Sequence, residues 1–140
     1  MKYAMRRVAR RYALQVLYSM DINPETEEAS LDGAVTERDK LKSADLSFAE
    51  SLIHRVRDNL PAIDGEIQKH LRNWSLPQLN GVDRNILRIA AAELLFPGDE
   101  KPEKGTIINE AVIMAKIFAG DTSYRFINGV LNTIAEEHHL

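Results

Sequence analysis

The chain has 140 residues, 44% of them hydrophobic, with no cysteine and a net charge of −3. That is the size of one ordinary domain, able to bury a core without disulfide or metal, and the lack of cysteine excludes disulfides, thiolate catalysis and cysteine-ligated zinc. No apolar run approaches the roughly 20 residues of a membrane span, and the first twenty residues lack the continuous apolar centre of a secretory signal, so a cytoplasmic protein is expected.

The first predicted element is a helix from Arg6 to Met20, and its charge is segregated from the rest. Lys2, Arg6, Arg7, Arg10 and Arg11 all precede the first acidic residue, Asp21; with a whole-chain charge of −3, the remainder carries −8. At about 100° per residue, Arg7, Arg10, Arg11, Leu14 and Tyr18 fall on one stripe, and Ala9, Tyr12, Ala13, Val16, Leu17 and Met20 on the other. The pattern predicts a helix that buries the second stripe and offers the first, with a ring at the end of a basic row.

Residues 21–50 are the most acidic and least apolar part, with a short helix predicted around Glu27 to Arg38. A helix after Asp45 carries Ala49, Leu52, Ile53, Val56 and Leu60 on one face. Pro61 fits the first turn of the next helix, where its missing N–H costs nothing; Ile63, Ile67 and Leu71 form its apolar row and Trp74 closes it. Ser75-Leu76-Pro77 and Asn80-Gly81 mark a break. The stretch Val82 to Phe96 is apolar almost all round, which predicts the central helix, and Pro97-Gly98 stops it. A further helix starts near Thr106 and carries Ile108, Ala111, Val112, Ala115 and Phe118. Gly120-Asp121-Thr122-Ser123 reads as a stop followed by N-cap residues, and the last helix carries Phe126, Ile127, Val130, Leu131 and Ile134. No segment shows strand alternation. The expectation is an all-α single domain over residues 1–140, a compact bundle of about seven helices.

No phosphate-binding glycine loop, dinucleotide fingerprint or nucleophile elbow is present, so no catalytic residue, cofactor or metal site is predicted. His54 and His70 stand apart from any metal-ligand spacing, His138 and His139 read as tail residues, and Glu66, Glu93 and Glu110 read as satisfied surface or helix-pair acids. The arginine row is different. A charged row on a helix is ordinarily a solvated face, but this one has no interleaved acid, is all arginine within the helix and is continued by Tyr18. Arginine grips phosphate bidentately and stacks on bases, and guanidinium with ring is how single-stranded RNA is held.

Three stretches carry a resemblance. Arg6-Arg7-Val8-Ala9-Arg10 with Ala13-Leu14-Gln15-Val16-Leu17-Tyr18, then Val82 through Ala90 with Glu93-Leu94, then Ile108-Asn109-Glu110-Ala111-Val112 with Ala115-Lys116 and Phe126-Ile127-Asn128-Gly129-Val130-Leu131 resemble the NusB family of bacterial transcription antitermination factors, in family order and across essentially the whole chain. The resemblance implies a helical bundle in two subdomains that binds boxA RNA of ribosomal RNA transcripts together with the ribosomal protein NusE, within an RNA polymerase antitermination complex, in some members as a homodimer. It implies RNA contacts at Lys2, Arg6, Arg7, Arg10, Tyr18, Arg125 and Phe126, and a NusE-facing surface at Trp74, Leu79, Val82, Asp83 and Arg84. Phe126 sits at the edge of its apolar stripe and is equally readable as core, as are Trp74 and Val82. Asn128-Gly129 reads as structural, with Gly129 admitting a neighbouring helix and Asn128 bonding across. Many relatives carry an acid directly before the serine that starts the last helix; here Thr122 stands there, with Asp121 one residue earlier, and either can cap. The alternative function is the NusB-like substrate-binding domain of a ribosomal RNA cytosine methyltransferase, without its catalytic domain.

Overall fold

A computed structural model describes residues 2–23, 41–120 and 122–140, with side chains from residue 6 onward. Its elements are α1 (Lys2–Ile22), α2 (Ser43–Asp58), α3 (Leu60–Gln68), a 3-10 turn (Leu76–Gln78), α4 (Gly81–Leu95), α5 (Lys104–Phe118) and α6 (Ser123–Glu137). The described residues are thus all-helical, and six of the expected helices stand where the periodicity puts them. The short helix predicted around Glu27 to Arg38 lies outside the described residues.

Local chemistry sets the boundaries. Pro61 occupies the first turn of α3, where no intrahelical bond needs its nitrogen. Asn80 caps α4, its Oδ1 accepting from the Asp83 N–H at 2.8 Å, which satisfies one of the first-turn donors. Gly120, at φ 111°, ends the segment after α5, a conformation that favours glycine.

α4 is the central helix and packs against all five others. Ile86, Leu87 and Ile89 from α4 meet Leu52 of α2, Ile63 and Ile67 of α3, and Ile127, Leu131 and Ile134 of α6 in one closed core. Each such side chain contributes roughly 1.5–3 kcal/mol by leaving water. A helix apolar on nearly every side has to be wrapped in this way.

Four expectations need correction. Trp74 does not close the α3 row: α3 ends at Gln68 and Trp74 is 58% exposed. Phe118 lies at the solvent end of α5 rather than in the core. No neighbouring helix approaches Gly129, whose surroundings are open, and Asn128 is exposed; its carbonyl accepts from Asn132 within the same helix. Thr122 stands at the α6 N-cap position without a side-chain capping bond; the Ser123 hydroxyl instead donates to Asp83 Oδ2 at 3.1 Å, tying α6 to α4.

Candidate nucleic-acid interface

The arginines of α1 do not share one environment. Arg10 is buried and meets the central helix: its Nε and Nη2 donate to the two carboxylate oxygens of Glu93 at 2.7 and 2.9 Å. Arg6 donates to both oxygens of Glu100 at 3.0 and 2.6 Å and to Asp45 Oδ1 at 2.8 Å. Phe48 of α2 lies under both guanidiniums, 4.5 Å from Arg6 and 5.3 Å from Arg10. Arg7 bonds Glu110 of α5 at 3.0 Å but keeps 48% of its side chain in solvent. Arg11 is half-buried and has no ion-pair partner among the described residues.

The expected open stripe is therefore rotated. Arg10 and Leu14 turn inward, and the outward row of α1 is Arg7, Arg11, Gln15, Tyr18 and Ile22. The reason is a set of acids that local periodicity does not see. Glu93 and Glu110 come from helices more than eighty residues away in sequence, and they neutralise arginines whose own helix offers no acid before Asp21, which is itself engaged by Arg84. Burial works against the Arg10 charge, but the Glu93 hydrogen bonds and the charges of Glu93, Glu110 and Glu100 outweigh it, so Arg10 holds its proton more tightly than usual.

Tyr18, part-exposed, lies across the start of α4. A Cβ at Gly81 would come within 2.8 Å of its ring, so the absence of a side chain there lets the ring seat. At the start of α6, Arg125 is exposed and its Nε donates to Tyr124 Oη at 3.1 Å. The Tyr124 ring has Lys116 Nζ 4.8 Å from its centre and the Arg125 guanidinium at 5.7 Å. These three residues, with Asn109, Asn128 and Asn132, line an open groove of about 510 Å³ between α5 and α6 whose wall contains lysine, arginine and asparagine but no acid. Lys116 and Tyr124 escaped the sequence reading because neither lies on a basic run. Phe126 is partly buried against the core, and Lys2 stands on α1 with its side chain outside the described residues.

The expected protein-facing residues divide as well. Trp74 is exposed, while Leu79 and Val82 lie half-buried against the core. Asp83 and Arg84 do structural work. Asp83 is buried and bonded to Asn80 and Ser123; burial raises its carboxyl above the usual range. Arg84 binds Asp21 at 2.7 and 2.8 Å and the Leu79 carbonyl at 2.7 Å. Asn85 adds a bond to Asp21 at 2.9 Å, and Arg88 approaches it at 3.3 Å while pairing with Asp64 on α3. This knot fastens the end of α1 to α3 and α4.

A model of the NusB family matches residues 7–136. The chain belongs to the NusB family. Among similar proteins, the transcription antitermination protein NusB of Macrococcus caseolyticus is 42% identical over 126 residues, 90% of this chain and 92% of that protein. The T. maritima NusB structure superposes with a TM-score of 0.83 at 34% identity, covering 94% of this chain and 91% of that one. A crystal structure of the antitermination factors NusB and NusE in complex with double-stranded RNA also gives 0.83, at 30% identity, covering 96% and 98%. The chain thus shares the fold of these NusB structures over nearly its whole length. No helix among the described residues is long and apolar enough to cross a membrane.

Proposed function

We propose that this chain is a cytoplasmic, non-enzymatic antitermination factor that binds the boxA element of ribosomal RNA transcripts together with NusE and promotes read-through by RNA polymerase. The observation that carries the reading is the outward row Arg7, Arg11 and Tyr18 on α1, in a chain whose structural relative is held with NusE and RNA. Arg7, Arg11 and Arg125 meet phosphates, and Tyr18 with the exposed part of Phe126 meets bases. Arg6 and Arg10 act as positioning residues, because their guanidiniums are engaged by Glu100, Asp45 and Glu93. Lys2 extends the phosphate row by its place on α1.

The surface around Trp74, Leu79 and Val82 serves as the NusE-facing side, with Asp83 and Arg84 fixing the backbone beneath it. Trp74 is the anchor, since a large exposed ring is the kind of group that carries interface energy. The methyltransferase alternative has no observation in its favour; the relative from Macrococcus is covered over 92% of its own length and is an antitermination protein.

The test is a transcription assay with a boxA-bearing template upstream of a terminator. Added with NusE, the chain raises read-through, and a scrambled boxA abolishes the gain. Read-through independent of boxA would overturn the proposal.

A further inference from the structure

The far end of the molecule holds a cluster that the RNA-binding reading does not use. Glu66 and His70 stand one turn apart at the end of α3, and Glu137 and His138 lie side by side at the end of α6. His70 Nε2 is 2.8 Å from Glu137 Oε2, and His138 Nε2 is 3.1 Å from Glu66 Oε2. One donor atom from each of Glu66, His70 and Glu137 lies within 4.8 Å of the others. Two of these atoms, His70 Nε2 and Glu66 Oε2, are buried and make no aligned hydrogen bond despite their close neighbours. Each faces an ion-pair partner, Glu137 for His70 and His138 for Glu66, so two imidazole nitrogens and two carboxylate oxygens converge on one spot.

The backbone fixes the donors. α6 closes with the His139 N–H on the Glu136 carbonyl at 3.1 Å and the Leu140 N–H on the Ala135 carbonyl at 2.9 Å. His139 has φ 56°; together these make a Schellman closure that holds His138 beside Glu137. Lys69 Nζ takes the other side of the carboxylates, 2.9 Å from Glu66 Oε1 and 3.9 Å from Glu137 Oε1. That leaves the Oε2 atoms turned toward the imidazoles.

We propose that Glu66, His70, Glu137 and His138 form a binding site for a divalent transition metal of the zinc class, which staples the end of α6 to the end of α3. Two imidazoles and two carboxylates are a donor set suited to zinc rather than to calcium or magnesium. Tetrahedral bonds of about 2.1 Å place donors about 3.4 Å apart, so the pairs at 2.8 and 3.1 Å open slightly and separations of up to 4.8 Å close by as much as about 1.4 Å, through rotamer adjustment at the half-exposed Glu137. Sequence periodicity hides the site because its halves lie more than sixty residues apart; the expectation that His70 stands apart and that His138 is a tail residue is corrected by their closeness to Glu137 and Glu66.

The experiment is titration of the tag-free full chain with Co²⁺, followed by its visible d–d absorption, then displacement by Zn²⁺. One saturable equivalent with a tetrahedral spectrum is expected, and Zn²⁺ at a hundredfold excess over Kd raises Tm by about 5–10 °C, reversed by chelator. His70→Ala and Glu137→Gln each abolish the spectrum; Glu137 is half exposed, so its variant folds even where the other does not. Absence of one-to-one binding overturns the proposal. So does binding that survives both substitutions and is lost in His139→Ala, which places the metal on the terminal histidines instead.

Discussion

Arg10 and Glu93 close a bidentate ion pair between α1 and the central helix, with 5% and 3% of their side chains left in solvent. Taking one partner away strands the other as a buried charge, which costs about 3–5 kcal/mol. Arg10→Ala and Glu93→Ala should each lower stability by that amount in urea unfolding. The double variant Arg10→Met/Glu93→Leu should recover most of the loss, since well-packed apolar replacement of a buried pair is often near neutral.

Arg7 should behave in the opposite way. It keeps 48% of its side chain in solvent although Glu110 keeps only 9%; truncating Arg7 opens that carboxylate to water, and solvent-screened pairs contribute roughly 1 kcal/mol or less. Arg7→Ala is therefore expected to leave stability within about 1 kcal/mol of wild type while weakening RNA binding. With three or four phosphates neutralised, the log–log salt slope of the wild type is roughly −2 to −3, and the variant's slope is shallower by roughly 0.7. Equal losses of stability in Arg7→Ala and Arg10→Ala would show that the two arginines are not divided as described.

The contrast between these two residues explains what was legible in the sequence. The helices were legible because each carries its own 3.6-residue period, and α4 as the centre followed from its being apolar nearly all round. Which arginines face water was not, because the deciding groups, Glu93, Glu110 and Glu100, are tertiary neighbours. Trp74 and Phe118 were misplaced for a related reason: an apolar side chain in register says nothing about whether another element covers it. Lys116 and Tyr124 became visible only when α5 and α6 were set side by side, as did the joining of Glu66 and His70 to Glu137.

Gly81 tests the seat of Tyr18. An added Cβ would lie 2.8 Å from the ring, so Gly81→Ala should push the ring aside while changing stability little, since alanine is the better helix former. RNA affinity is expected to fall as far as it does in Tyr18→Ala. An unchanged affinity in Gly81→Ala alongside a loss in Tyr18→Ala would mean that the ring works from a different position.

Acid stability should report on Asp21. Burial disfavours its charge, but hydrogen bonds from Arg84 and Asn85 and the charges of Arg88 and Arg84 outweigh burial and hold its carboxyl below the ordinary 3.8. A lowered carboxyl stabilises the fold fully above the ordinary value, and that contribution disappears as the pH falls through the lower, folded one. Asp21→Asn is therefore expected to cost about 1–3 kcal/mol at pH 7, with the difference from wild type shrinking toward pH 3 in urea unfolding. Asp83, with its raised carboxyl, has the opposite sign: the penalty of its ionisation is relieved as the pH falls.

The central claim is that α1 and the start of α6 hold boxA RNA. Its most direct test is the binding of labelled boxA RNA, single- and double-stranded, beside a scrambled control, with NusE present and absent, for wild type and Arg7→Ala/Arg125→Ala. The account predicts preference for boxA, enhancement by NusE, and at least a tenfold loss of affinity in the double variant with its unfolding curve close to wild type. Equal affinity for boxA and scrambled RNA, or a double variant that binds like wild type, would contradict it.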